Sequence, residues 1–355
     1  MKQLRIALLG QGRSGHDIHG EFFLKDTSGQ YKVVAVVDEM KERRERAQQE
    51  FGCDVYADYR DILEHRDIDL VVNALYSYLH YPVTLDLIEH GFSVVVEKPF
   101  GRYRAGCQEL IQKAEKRGVM VNVFQQSRFA PYYTAIKEIL ASGRLGEIKQ
   151  ISLQFSGFAR RWDWQCSQRF WGGNLLNTGP HPMDQALDLL EFDEKTQVLY
   201  SRLDTVNTFG DAEDYCKILL TAPGKPLIDL EISSCNAYAD FTYRIQAKYG
   251  SLNADVHKIQ YKYFDPAEAP EQKLRLTPLM DSQARPQYCS EQLPWKEEEI
   301  VLEGSAFDVG TRKYYQMIYD YLTEKKPMQI NARQVLQQIQ LAERIHGDNP
   351  LPIRC

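Results

Sequence analysis

The sequence contains no uninterrupted apolar stretch approaching the ~20 residues that a membrane-spanning helix needs. The short hydrophobic run Leu4–Leu9 passes directly into a glycine loop, with no cleavage-like sequence to make it a signal peptide. Cysteine is sparse and scattered: the seven thiols form no CxxC pair and are odd in number. That pattern speaks against a disulfide framework or a zinc site and fits reduced thiols, so no metal is expected. An excess of positive charge is also lacking, because the net charge is −6 and the densest basic run, Lys41–Arg46, is interleaved with glutamates. Nucleic acid is therefore not an expected partner, and neither is a membrane. Repeats and low-complexity tracts are absent. Together these features predict a cytoplasmic globular protein.

A chain of 355 residues exceeds one ordinary core and predicts two domains. Over residues 1–125, short β-branched runs alternate with amphipathic stretches. Leu4–Leu9, Val33–Val37, Leu70–Ala74, Ser93–Glu97 and Met120–Phe124 read as buried strands. Gly15–Leu24, Lys41–Phe51, Tyr59–Glu64, Tyr81–His90 and Ala105–Arg117 read as the helices between them. This is the pattern of an α/β Rossmann domain with a doubly wound parallel sheet. Residues 126–355 differ: one helix is followed by strand-like runs from Glu147 to Tyr263 with few intervening helices, predicting an α+β domain with a large, mostly antiparallel open sheet. Asp265–Pro294 reads as a long loop or arm, and Ser305–Leu322 and Ala332–Ile345 as closing helices that can pack back on the first domain.

Gly10-Gln11-Gly12-Arg13-Ser14-Gly15 follows the first strand and opens a helix. In that context the GxGxxG spacing allows a tight turn, close approach to a pyrophosphate and close helix–strand packing, with helix-start amides facing the anion. Asp38 ends the second strand, where an acid would hydrogen-bond the adenosine ribose; Glu39 follows it, so a 2′-phosphate would meet two carboxylates and no adjacent arginine, which favours NAD over NADP. His16 reads as helix surface. For His19, packing and buttressing of the nucleotide site are both open.

Val94-Val95-Val96-Glu97-Lys98-Pro99 puts a lysine at the carboxyl end of a buried strand, where open α/β sheets bind ligands, and Pro99 holds Lys98 extended. Such a lysine can stabilise developing alkoxide character. Fingerprint, terminal acid and Glu-Lys-Pro in this order resemble the glucose–fructose oxidoreductase / inositol dehydrogenase / MocA (Gfo/Idh/MocA) family. Ala74-Leu75-Tyr76-Ser77-Tyr78-Leu79-His80 resembles the family's loop after the fourth strand, with Tyr76 in place of the usual proline. Gln126-Ser127-Arg128-Phe129 resembles its domain-crossing segment. The resemblance implies NAD(P) held by Gly10, Gln11, Gly12, Arg13, Ser14, Asp38, Ala74, Leu75, Tyr76, His80, Glu97, Lys98 and Gln126. It further implies Lys98 at the reacting hydroxyl, an often cis Lys98–Pro99 bond, and homo-oligomers, dimers or tetramers, formed through the C-terminal sheet.

Gly172-Gly173-Asn174-Leu175-Leu176-Asn177-Thr178-Gly179-Pro180-His181-Pro182-Met183-Asp184 resembles the family's histidine segment, with Asn177 where aspartate is usual. Pro180 suits a first helical position, which places His181 at a helix N-terminus where the dipole disfavours imidazolium and keeps a neutral base available. Asp184, counted with Asn177, Arg161 and Trp162 among the substrate-binding candidates, either pairs with His181 or caps the helix. Asn177 can still hydrogen-bond a substrate hydroxyl. Upstream, Arg161 and Trp162 are the best candidates for gripping and stacking on substrate. The expected substrate is a sugar, polyol or glycoside, oxidised or reduced at a secondary alcohol. A tightly NAD-bound enzyme that oxidises or cleaves glycosides is a variant of this reading. A nonenzymatic NAD-binding regulator is the rival, and the presence of both Lys98 and His181 speaks against it.

Overall fold

The computed structural model describes residues 2–354. Its first sheet holds β1 (Leu4–Leu9), β2 (Tyr31–Val37), β3 (Asp54–Tyr56), β4 (Leu70–Asn73), β5 (Val94–Val96) and β6 (Val121–Val123). All six run parallel, in the order β3-β2-β1-β4-β5-β6. Every residue of β4, β5 and β6 is buried, as expected for strands covered on both faces by crossover helices. The order reverses between β1 and β4, so the crevice beyond their carboxyl ends is the topological switch point where ligands bind.

The second sheet holds eight strands in the order β16-β13-β12-β11-β7-β10-β9-β8. In chain order these are β7 (Ile148–Ser156), β8 (Gln197–Asp204), β9 (Tyr215–Thr221), β10 (Leu227–Ser233), β11 (Tyr243–Ala247), β12 (Gly250–Ala254), β13 (Lys258–Tyr263) and, after a short hairpin of β14 (Leu279–Met280) and β15 (Pro286–Gln287), β16 (Lys296–Val301). Every pairing is antiparallel except β7 with β10. Along β9 and β10, Cys216, Ile218, Leu220, Ile228, Leu230 and Ile232 point into the core. Lys217, Asp229 and Glu231 alternate with them, and Lys217 meets the two acids at 2.6 and 3.5 Å on the other, polar face.

Three departures from the sequence reading have local causes. The helix expected over Gly15–Leu24 is a π-helical turn, Arg13–Gly20, continued by an α-helix, Glu21–Lys25; the wider turn accommodates an extra residue beside the glycine loop. Strand β3 is too short for periodicity to register. Strand β16 (Lys-Glu-Glu-Glu-Ile-Val) carries the charges of a protected sheet edge and so hides its pairing with β13.

The last helix, Ala332–Asp348, begins on an Asn331–Gln334 capping box and serves both domains. Val335 and Ile339 lie in the Rossmann core, while Leu341, Ala342 and Ile345 lie in the core of the second sheet. No helix among the described residues is long and apolar enough to cross a membrane.

Candidate active site

The glycine loop has the close contacts that its composition predicted. Gly10 has φ +87°, and a Cβ there would stand 2.5 Å from the Ala74 carbonyl. A Cβ on Gly15 would collide with the Gly10 carbonyl, so these two positions let the first helical turn sit directly on β1 and β4. Arg13 is exposed at the turn, and Gln11 is buried with its side-chain oxygen unpartnered. The loop and its open amides therefore fit a dinucleotide diphosphate.

Asp38 is buried and already engaged: one carboxylate oxygen accepts from the Gln11 amide (2.7 Å), the other from the Met40 amide (2.9 Å). This ties the end of β2 to the glycine loop. The sequence reading that no arginine adjoins this acid needs correcting. The helix Lys41–Phe51 returns Arg43 to 3.5 Å from Asp38, and Arg44 donates to the main-chain carbonyls of Asp38 and Glu39 at 2.8 and 2.9 Å.

Lys98 follows β5, and its bond to Pro99 is cis. His80 clamps this turn from the opposite side, one ring nitrogen 2.7 Å from the Pro99 carbonyl and the other 3.1 Å from the Leu75 carbonyl. His80 is thus a buried brace between the loop after β4 and the Lys98–Pro99 turn, and burial pushes its pKa down. The Lys98 ammonium donates 2.8 Å to the main-chain carbonyl of Asn177, across from the Rossmann domain. Burial lowers the lysine's pKa, opposed by the Glu97 carboxylate and reinforced by the charges of Arg13 and Arg161.

His181 occupies the first turn of the helix Pro180–Leu189, with Pro180 at the leading position. Its Nδ1 is shielded from solvent and has no hydrogen-bond partner. Desolvation and then the nearby Lys98 charge push the imidazole down to about 3, which leaves a neutral base beside a cationic donor.

The remaining predicted residues divide. Asn177 does reach Lys98, but through its backbone; its side-chain amide turns to Gln165 at 3.3 Å. Asp184 neither pairs with His181 nor caps the helix. It is fully buried against the Arg128 guanidinium in a bidentate pair at 2.7 and 2.8 Å, which removes it from the substrate-binding set. Arg161 binds Asp163 (2.8 Å) and the Gln165 side chain. Trp162 is 78% exposed and faces solvent. An aromatic group that sequence alone did not assemble lies closer in: Tyr76 stacks on Tyr78 and meets Trp164 edge-on at 5.1 Å, and Tyr78 packs against Phe170. Tyr76 thereby links the loop after β4 to the second domain. Gln126 is buried with an unpartnered side-chain oxygen, behind the same crevice.

Residues 4–125 match the oxidoreductase family with an NAD-binding Rossmann fold, and residues 133–253 match the GFO/IDH/MocA C-terminal domain. The chain belongs to the Gfo/Idh/MocA family. Among curated relatives, scyllo-inositol 2-dehydrogenase (NADP(+)) IolW of Bacillus subtilis is 27% identical over 222 residues, 61% of each chain. Trans-1,2-dihydrobenzene-1,2-diol dehydrogenase of Mus musculus is 28% identical over 202 residues, 56% of this chain and 59% of its own. The matched part of this family member spans about half to three-fifths of the length of such relatives. The oxidoreductase yvaA of Bacillus subtilis has the same fold, with a TM-score of 0.79 at 19% identity over 98% of this chain and 95% of that one. So does KijD10, a 3-ketoreductase from Actinomadura kijaniata solved with NADP and TDP-benzene, with a TM-score of 0.77 at 16% identity over 98% of both chains.

Proposed function

We propose that the protein is an NAD-dependent oxidoreductase that moves a hydride between nicotinamide and a secondary hydroxyl or ketone of a sugar, inositol or glycoside. The observation that carries this reading is the meeting of the Lys98 ammonium, anchored on the Asn177 carbonyl, with an unpartnered His181 imidazole held neutral beside it. Both stand in the crevice beyond β5, next to the glycine loop. A bound nicotinamide supplies the hydride acceptor. In oxidation Lys98 donates a hydrogen bond to the reacting oxygen and stabilises its developing negative charge, while His181 takes the hydroxyl proton. In reduction the same proton returns from His181 to the carbonyl oxygen.

Asp38 supports NAD as the cofactor, because its buried carboxylate stands where a 2′-phosphate would have to approach and would repel it. Arg43 tempers that repulsion without replacing the acid. We also assign the polar open face of the second sheet to contacts between copies of the chain.

The test is nicotinamide reduction across inositols, aldoses, glycosides and keto-sugars, after assay of any co-purified nucleotide. Turnover of a polyol or sugar that disappears in Lys98→Ala supports the reading. Nucleotide binding without turnover of any alcohol or ketone would favour a sensor instead.

A further inference from the structure

His19 is fully buried, and its two ring nitrogens are both engaged. Nε2 lies 3.1 Å from the Glu97 carboxylate, and Nδ1 lies 2.7 Å from the Tyr315 hydroxyl on the helix Ala306–Glu324. The other Glu97 oxygen accepts from the main-chain amide of Lys98 at 2.9 Å. A neutral ring satisfies both contacts in one tautomer: the tyrosine hydroxyl donates to Nδ1, and Nε2–H donates to the carboxylate. The π-helical turn Arg13–Gly20 carries His19 inward to this position, and the ring packs on Phe124 at 4.3 Å between centroids.

A carboxylate buried this deeply stays charged only if it is hydrogen-bonded or paired. Burial pushes Glu97 up, but the hydrogen bond from His19 and the charge of the Lys98 ammonium bring it down to about 2. Glu97 also faces His80, Tyr314 and Tyr315, and Lys98 also faces the cations Arg13 and Arg161 and the imidazole of His181. Glu97 is thus the anion that acts on the lysine.

We infer that His19 is a positioning residue for the catalytic centre: relayed from Tyr315, it fixes the Glu97 carboxylate as the counter-charge that keeps Lys98 an ammonium in its buried place. The inference rests on the reading of Lys98 as the donor to the reacting oxygen, but the charge of Lys98 can be measured without any substrate. Removing His19 lets Glu97 turn or take a proton, and Lys98 then loses protons at lower pH.

The experiment is competitive acetylation of Lys98 with acetic anhydride as a function of pH, read by mass spectrometry of the peptide, alongside the pH profile of kcat/KM. In His19→Phe the labelling midpoint and the alkaline limb of the rate profile should both move down by about 1 pH unit or more. His19→Gln keeps an N–H at the reach of Nε2 and should restore most of the shift. Tyr315→Phe, a smaller change that serves if His19→Phe does not fold, should move both in the same direction. A labelling midpoint that stays at the wild-type pH in the folded variants overturns the inference, whatever the loss of thermal stability. A moved midpoint with an unmoved rate profile upholds the His19–Glu97–Lys98 link and instead removes Lys98 from the reaction.

Discussion

The ammonium of Lys98 and the main-chain carbonyl of Asn177 meet at 2.8 Å, so the lysine presented by one domain is aimed by the backbone of the other. The carbonyl belongs to the short helix Asn174–Asn177, just before the turn that delivers His181. Lys98 and His181 are therefore registered on each other by a single segment. The identity of the side chain at 177 matters less than the path of its backbone.

Replacing Lys98 and replacing Asn177 should then differ sharply. Lys98→Ala removes the donor to the reacting oxygen and should lower kcat by about 10²–10³. Nucleotide affinity measured by calorimetry should stay near wild type. Asn177→Ala keeps the carbonyl and should lose less than about tenfold in kcat, a difference of roughly 1.4 kcal/mol in barrier. Equal losses in the two variants would show that the side chain at 177 takes part directly.

Cofactor choice should follow Asp38. NAD is expected to bind more tightly than NADP by at least ~1.4 kcal/mol, about tenfold. Asp38→Ser should narrow or reverse that gap, because Arg43 already stands 3.5 Å from the carboxylate and would be left to face a 2′-phosphate. Titration calorimetry with both nucleotides decides it; an unchanged preference in Asp38→Ser would place the discrimination elsewhere.

His181 should leave two signatures in pH. With its folded pKa pushed down to about 3, the imidazole is neutral throughout the neutral range, so it should add no acidic limb to kcat/KM for oxidation above about pH 5. Its unfolded pKa is about 6.5, so between these values the unfolded chain binds more protons than the folded one. Stability should therefore fall as pH drops from about 6.5 toward 3, and His181→Leu should flatten that dependence in urea midpoints. His181→Ala should also lower kcat by about 10²–10⁴.

Asp184 should behave as a structural acid. Asp184→Ala leaves the Arg128 guanidinium buried without its partner and should destabilise the fold by roughly 3–5 kcal/mol, read from denaturant unfolding. The double variant Asp184→Leu with Arg128→Met should recover much of that loss. A large drop in kcat at wild-type stability would return Asp184 to the active site.

How much of this was legible in the sequence depended on whether a residue acts locally. The Rossmann strands announced themselves as continuous apolar runs, and the roles of Gly10 and Gly15 followed from spacing that only a close strand–helix turn requires. Lys98 and His181 were placed by neighbours in sequence, Pro99 and Pro180. What escaped were partnerships at a distance. Arg128 and Asp184 are 56 residues apart and become a pair only when the helix Pro180–Leu189 packs against the turn Gln126–Phe129. Arg43 reaches Asp38 because one helical turn brings it back, although five residues separate them. Asn177 acts through a carbonyl, a group that every residue has and no composition reveals. Trp162 looked suited to a sugar face, but the loop turns it outward and brings Trp164 in.

The last helix gives these pieces a common fate. Gln338 lies halfway along it, accepting from the Gln125 side chain at the end of the first sheet (3.0 Å) and donating to the Pro180 carbonyl at the base of the histidine turn (2.6 Å). Apolar side chains on either side of Gln338 are shared between two cores. The two sheets consequently have no seam along which one can melt and leave the other intact. Heat should cross a single cooperative transition, and trimming the chain from its carboxyl end should blunt the crevice before it loosens either sheet.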